Sequence, residues 1–218
     1  MTARARDALV VLLTLTAGAV DAVTFVRLGN VFSSVITGNL ALLGIAAGRR
    51  DGALARNGGL ALAGYAVGVL AGMPIARAPE RGQPHWPMRV TLTLSVELAV
   101  LGAFSGLWLA SGTHRGTAAR LALLMIAAAA MGMQSTAVRR LGQMSSTYLT
   151  STLTGVVSAF AVGRMPSDWQ RSTGVLAAMV AGAAFGALAA VESPGWVPAA
   201  VLIPIAAVVA VSLLLTRR

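Results

Sequence analysis

The chain has 218 residues, of which 56% are hydrophobic and only 11% charged, whereas soluble domains carry about 25% charged residues. Its 17 basic residues are all arginine and outnumber 7 acidic residues, giving a net charge of +10. A soluble globule is excluded, because one core of this size could not bury eight apolar blocks of nearly membrane-spanning length, roughly 20 residues each. The lack of cysteine excludes disulfides and thiolate chemistry, and we expect no metal site and no cofactor.

The apolar blocks predict one all-α transmembrane domain that covers residues 1–218. Eight helical segments are expected near residues 8–26, 31–48, 57–76, 90–110, 120–138, 144–163, 174–191 and 197–216. The first block has the basic start of a signal peptide, but its apolar character continues to Val26 and the segment recurs later in the chain. We therefore predict a retained first span.

The arginines lie at the ends of the apolar blocks, where membrane insertion uses positive charge to set orientation. We therefore expect a lipid bilayer as the partner, and no nucleic acid. If all eight blocks cross, one side carries eleven arginines, and the other carries six: Arg27, Arg77, Arg81, Arg89, Arg139 and Arg140. The richer side is predicted to be cytoplasmic and to hold both termini. An arrangement with six crossings, in which one block of each half enters the membrane and returns, remains open.

The sequence contains an internal repeat. Residues 26–39 match residues 139–152 at an offset of 113, and Asp21 then falls on Gln134. We expect two repeated halves of about four helical segments each, near residues 1–112 and 113–218, with six to eight crossings in all. An even number of crossings per half would make the halves parallel and an odd number would invert one. The arginine count favours parallel halves.

Small residues recur at every fourth position of the third and seventh blocks. These positions match at an offset of 114 and comprise Gly64, Gly68 and Gly72 in the first half and Ala178, Gly182 and Gly186 in the second. Such ladders lie on one helix face and let another backbone approach closely. We predict tight helix packing there, and a sliding face for gating is the alternative.

Two acidic residues lie inside predicted spans, where an ionised carboxylate facing lipid would cost a few kcal/mol. Asp21 lies about 8 Å inside the end of its block, and Arg140, in the matching turn of the other half, is its predicted ion-pair partner. Asp21 is either part of a clamp between the halves or a proton or cation site. Glu97 has no acidic counterpart in the second half. It suits a single coupling site, or a protonated carboxyl bonded to a neighbouring helix.

The second and sixth blocks begin with runs of hydroxyl side chains. Thr37 belongs to the first run, and Thr147 and Thr150 belong to the second. These groups either hydrogen-bond within the bundle or line a hydrated cavity from two sides, where Asn39 and Gln134 would contact a solute. The candidate substrate or ion path therefore comprises Asp21, Thr37, Asn39, Glu97, Gln134, Thr147 and Thr150.

The sequence contains no catalytic constellation. His85 and His114 lie outside the spans, and GxSxG, Walker and HExxH motifs are absent. We therefore predict that the protein is not an enzyme.

Several of these motifs resemble the YoaK-like family of uncharacterised bacterial multi-pass membrane proteins. The resemblance covers nearly the whole chain and is carried by residues 18–22 with Phe25, by residues 28–32 leading to 37–39, and by residues 132–134 followed by 146–150. Ser151 departs from it, because similar proteins tend to have glycine there. The resemblance implies an integral protein of the bacterial inner membrane with about six spans, and it assigns no substrate.

These observations predict a small-solute transporter or exporter with a polar path at the interface of two repeats. A passive channel and a non-transporting membrane scaffold or assembly protein are the alternatives. The sequence does not identify the solute or ion, and a homo-oligomer is compatible with it.

Overall fold

The computed structural model describes residues 2–76, 86–141, 146–163 and 169–216. Within these ranges the α-helices are α1 (Ala3–Thr24), α2 (Ile36–Arg49), α3 (Gly52–Ile75), α4 (Met88–Ala110), α5 (Thr117–Arg139), α6 (Ser146–Ala161), α7 (Trp169–Glu192) and α8 (Val197–Thr216). A π-helical segment, Phe25–Gly29, extends α1, and a short 3-10 turn precedes α8. The predicted all-α membrane bundle is confirmed.

Six of these helices are long and apolar enough to cross a membrane: α1 with its extension, α3, α4, α5, α7 and α8. The other two are too short. Helix α2 has 14 residues, which gives about 21 Å against a hydrocarbon core of about 30 Å, and the apolar part of α6 covers only Leu149–Ala161. The helix lengths therefore favour six crossings over eight.

Contacts at the helix ends determine the direction of each helix. The Asn57 side chain, near the start of α3, donates to the Gly29 carbonyl at 3.3 Å, so α3 begins where α1 ends. Trp108, near the end of α4, donates to the Pro194 carbonyl at 2.8 Å, so α8 begins where α4 ends. Both termini of the bundle consequently lie at one end. We call the end where α1 begins the proximal end and the opposite one the distal end.

The eight-crossing scheme is wrong about the arginines, because it places Arg27 and Arg115 on opposite sides. In the structure, burial lowers the pKa of Arg115, and the nearby positive charges of Arg27 and Arg120 lower it further. These three side chains therefore lie close to one another, at the distal end. With six crossings, eleven arginines still fall on the side of the termini. The six distal ones are Arg27, Arg49, Arg50, Arg56, Arg115 and Arg120.

The small-residue ladders lie where helices of different halves cross. Gly68 of α3 faces the Ala129 carbonyl of α5, and Gly182 of α7 faces the Leu15 carbonyl of α1. At both positions a Cβ atom would overlap the facing carbonyl. The contacts advance together along each pair, from Gly64 with Met125 to Gly72 with Thr136 and from Gly174 with Val11 to Gly186 with Ala19, so α3 runs parallel to α5 and α7 runs parallel to α1. Because α3 runs opposite to α1, helices α1 and α5 are antiparallel, an arrangement that does not fit the expected parallel halves.

Candidate functional site

After Gly29 the chain turns back into the bundle instead of starting the next crossing. Ser33 and Ser34 both donate from their backbone N–H groups to Oδ1 of Asp21, at 2.7 Å. Their hydroxyls donate to the same carboxylate, at 2.7 Å for Ser33 and 2.5 Å for Ser34. Asp21 lies about 12 Å before Gly29, the distal end of the π-helical extension of α1. Helix α2 therefore begins in the interior and runs outward to the distal end.

The predicted pair between Asp21 and Arg140 is wrong. Arg140 follows the last residue of α5, at the proximal end, whereas Asp21 lies in the distal half of α1. The Asp21 oxygens accept from the two serines instead, and among the described residues Asp21 forms no ion pair with an arginine. The carboxylate therefore holds the returning segment against its own helix.

Asn39 also closes this segment and does not face a cavity. Its Oδ1 accepts from the Phe32 N–H at 2.9 Å, and its Nδ2 donates to the Phe32 carbonyl at 2.7 Å. The side chain is fully buried. The predicted contact of Asn39 with a solute is therefore absent from this conformation.

The starts of α2 and α6 face each other across an open recess of about 740 Å³. Val35 and Thr37 line it from the α2 side, and Leu149, Thr150 and Ser151 line it from α6. The two hydroxyl runs are thus adjacent, as the hydrated-cavity alternative requires. The side chain of Thr147 lies outside the described part of the structure.

A second, narrower cavity of about 100 Å³ lies on the seam between the two halves. It extends from the first residues of α7, at the proximal end, to Ser34 and Gln134 in the interior. Its polar lining comprises Thr14, Ser34, Gln134, Ser135, Thr152, Arg171 and Ser172, and its apolar lining includes Val10, Leu13, Tyr65, Met131, Leu149, Val175 and Met179. Leu149 lines both the cavity and the recess and is therefore the wall between them.

Glu97 and Gln134, predicted separately, form a pair behind the cavity wall. The Gln134 amide donates to Oε1 of Glu97 at 2.9 Å. Glu97 is fully buried, and its Oε2 has no hydrogen-bond partner among the described residues. Two polar groups of the wall are therefore each held by a buried acid, Gln134 by Glu97 and Ser34 by Asp21.

Among the described residues, no acidic side chain lines the cavity, and Arg171 is the one charged residue of its lining. The Arg171 guanidinium lies 3.7 Å from the Asp7 carboxylate. Within the described ranges no group of three or more potential metal ligands is found. The arrangement suits a small polar solute with an apolar part, since hydroxyl and amide groups alternate with aliphatic walls.

The contacts between the halves recur in one register. Gly18 of α1 faces Met179 and Ala183 of α7, and Gly132 of α5 faces Tyr65 and Val69 of α3. Each residue of the first contact differs by 114 from its counterpart in the second. The offset of 113 applies only after the π-helical segment of α1, whose wider i→i+5 turn would accommodate one extra residue. In this register Asp21 falls on Ser135, and the predicted match of Asp21 to Gln134 is wrong.

The chain is similar to proteins of one known family. A family model described as "Protein of unknown function (DUF1275)" matches residues 9–215. This chain belongs to that family. It is 36% identical over 177 residues to the UPF0700 transmembrane protein YoaK of Bacillus subtilis (strain 168), an alignment that covers 79% of this chain and 75% of that protein. No solved structure matches. The predicted resemblance and the multi-pass membrane class are confirmed.

In this DUF1275 protein, several residues of the site were not predicted from the sequence. Tyr65 and Arg171 line the cavity, and the Asn57 side chain anchors α3 to the end of α1. One signal was available, because Asn57 and Arg171 occupy the same position of the two halves at an offset of 114. Polar residues at equivalent positions would have indicated the ends of the seam.

Proposed function

We propose that this DUF1275 protein carries a small solute across the bacterial inner membrane, along the seam between two inverted halves. The observation that carries the proposal is the cavity whose polar lining comes from both halves, with Thr14 and Ser34 from the first and Gln134 and Ser135 from the second. Binding sites at the interface of inverted repeats are typical of secondary transporters.

The inverted repeat is part of this proposal. It is supported by the shared register of the Gly18 and Gly132 contacts and by the three long helices in each half. It is also supported by α2 and α6, two short helices that begin next to each other around the recess. Interrupted helices that start near the membrane midplane are the elements from which many carriers build their sites.

Within this carrier, we assign different roles to the two buried acids. Asp21 is structural, because four donors from Ser33 and Ser34 saturate it. Glu97 is the coupling residue, because its Oε2 has no hydrogen-bond partner among the described residues and its Oε1 accepts from Gln134, which lines the cavity. The hydroxyls of Thr37 and Thr150 extend the polar path from the cavity into the recess.

The arginine distribution supports a cytoplasmic proximal end. Eleven arginines fall on the side that holds both termini and six on the other, and positive charge accumulates on the cytoplasmic side of membrane proteins. In this orientation the seam cavity faces the cytoplasm.

The proposal is tested by filling the cavity in purified protein reconstituted into vesicles. Ser172→Trp places a large ring in the cavity, whereas Val180→Trp, on the same helix, lies on the outer surface, where Val180 is 71% exposed. A panel of labelled small organic solutes is offered with and without an imposed proton gradient. We expect saturable flux of at least one solute that Ser172→Trp abolishes and Val180→Trp retains.

The two alternatives give different results in the same experiment. A passive channel would show flux that does not saturate and does not respond to the proton gradient. A scaffold would show no flux above protein-free vesicles with any solute of the panel. Unchanged flux in Ser172→Trp would contradict the placement of the path in the seam cavity.

A further inference from the structure

We infer that the distal end of the bundle contains a second cavity, the counterpart of the seam cavity, which is closed in this conformation and opens when the seam cavity closes. The inference rests on the proposed carrier function and adds a second access site to it. It is supported by the residues that the repeat makes equivalent to the lining of the seam cavity.

The equivalent positions form a continuous set at the distal end. Offsets of 114 before the π-helical segment and in α3, and of 113 after it, give the equivalent position of each lining residue. They lead to Val20, Asp21, Thr24, Ile36, Asn39, Asn57, Gly58, Ala61, Leu124, Ala127 and Ala128, and from Ser34 to Thr147, whose side chain lies outside the described part of the structure. Two pairs of lining residues map onto each other, Ala17 with Met131 and Tyr65 with Met179. The axis that relates the halves therefore passes between the two members of each pair, and these four residues form a floor common to both cavities.

The two sets differ in burial although their positions match. In the proximal set Arg171, Ser172 and Val175 are partly exposed, whereas their distal counterparts Asn57, Gly58 and Ala61 are buried. Thr14 and Ser135 are partly exposed too, and their counterparts Ala128 and Asp21 are buried. Among the distal positions whose side chains the structure describes, Ile36 is partly exposed and the others are buried. The same architecture is thus open at one end and packed at the other, as expected for one state of an alternating carrier.

Hydrogen bonds from three side chains close the distal end. Asp21 accepts from Ser33 and Ser34, Asn39 bonds both backbone groups of Phe32, and Asn57 donates to the Gly29 carbonyl. All three hold the segment that returns after α1. Water can replace such bonds when a cavity opens, so their net contribution is small and the closure is reversible.

Asn57 supplies a second and independent indication. Its Oδ1 is buried and has no hydrogen-bond partner among the described residues, although a buried amide oxygen is normally paired. In the opened state this oxygen would face the cavity, at the place that Arg171 occupies in the proximal one. A solute would thus meet the amide of Asn57 at the distal end, and Arg171 and Ser135 at the proximal end.

The test uses the natural absence of cysteine and needs no knowledge of the solute. Ala61→Cys and Val175→Cys are matched reporters, because they occupy equivalent positions of the distal and proximal sets. Each is placed in full-length protein in vesicles and treated with a membrane-impermeant cationic methanethiosulfonate from either side. In the starting protein we expect Val175→Cys to react from the side of the N-terminus and Ala61→Cys to react barely from either side.

The distal closure is then weakened by Ser33→Ala with Ser34→Ala, or by Asn57→Ala if the double variant does not yield a single folded species in detergent. We expect Ala61→Cys to react on the order of tenfold faster from the distal side. The loss of one or two hydrogen bonds of ordinary net strength would raise the population of the opened state by about this factor. Val175→Cys should become slower at the same time, because the two cavities open in turn.

Two results would overturn the inference. One is an Ala61→Cys rate that stays at the starting level in both folded variants, and the other is a rise at both reporters together, which indicates a continuous pore. Saturable flux with an unresponsive Ala61→Cys would refute the second cavity and leave the carrier. Reciprocal labelling without flux of any tested solute would support the second cavity and count against the proposed transport of those solutes.

Discussion

The Gln134 side chain donates a hydrogen bond from Nε2 to Oε1 of Glu97 at 2.9 Å and thereby joins α5 to α4 inside the bundle. The other carboxyl oxygen of Glu97 has no hydrogen-bond partner in the described part of the chain. The described arginines of α4 and α5, Arg89, Arg120 and Arg139, lie near the ends of these helices and not beside Glu97. A buried carboxylate with one amide donor is poorly compensated, so this environment suits the protonated acid.

Replacing Glu97 separates its structural role from its coupling role. Glu97→Leu leaves the Gln134 amide buried without its partner and should lower the free energy of unfolding by about 1–3 kcal/mol. Glu97→Gln retains an acceptor and should keep stability near that of the starting protein, while removing the response of flux to a proton gradient. Thermal unfolding in detergent and vesicle flux measure the two effects.

Ser105→Ala is the matched control for these variants. Ser105 is on the same helix and is buried, and its hydroxyl has no hydrogen-bond partner among the described residues. Its removal should leave stability unchanged or slightly raised. Proton-dependent flux that persists in folded Glu97→Gln would contradict the coupling role of Glu97.

Accessibility of single cysteines distinguishes six crossings from eight. With six crossings, Gly48→Cys and Gly116→Cys lie on the side opposite the termini, whereas eight crossings place both on the same side as the termini. Gly195→Cys lies opposite the termini in either scheme and serves as the control. Added side-chain atoms meet nothing within 4 Å at these three glycines. Labelling of positions 48 and 116 from the side of the N-terminus would refute the six-crossing arrangement.

The crossing glycines should be intolerant of even one methyl group. At Gly68 and Gly182 a Cβ atom would overlap the carbonyl oxygen of the facing helix, so Gly68→Ala and Gly182→Ala must separate two helices. We expect each to lower the free energy of unfolding by about 1–3 kcal/mol, the usual cost of overpacking. Gly59→Ala, on the same helix as Gly68 and with open space around it, should be neutral or slightly stabilising. Equal effects at positions 59 and 68 would contradict the close crossing.

The loop before α5 is held by a stacked arginine. The Arg115 guanidinium lies 3.5 Å from the centre of the Trp108 ring and donates to the Trp108 carbonyl at 2.9 Å. Because lysine lacks the planar donor fork, Arg115→Lys should lower the unfolding free energy by about 1 kcal/mol, the order of a cation–π contact. Arg120→Lys, nearby at the start of α5, should have almost no effect, and chemical denaturation of the two variants measures the difference. Equal stability of both variants would show that the stack is not stabilising.

The sequence by itself determined the membrane class, the eight helical segments and the small residues of the two packing ladders. These follow from apolar block length and from the four-residue spacing of small residues, which are local properties of a chain. It also indicated Glu97 and Gln134 as interior polar groups, because a charged or amide side chain inside a span must find a partner within the bundle.

Only the tertiary structure decided how these elements are connected in space. Apolar length did not show that α2 begins inside the bundle, since the returning segment depends on Asp21 accepting from Ser33 and Ser34. The pairing of Asp21 with Arg140 failed for the same reason, because a sequence repeat does not record helix direction and the two residues lie toward opposite ends. Which partner a buried polar group meets depends on contacts far apart in the chain, as the bond between Gln134 and Glu97 shows.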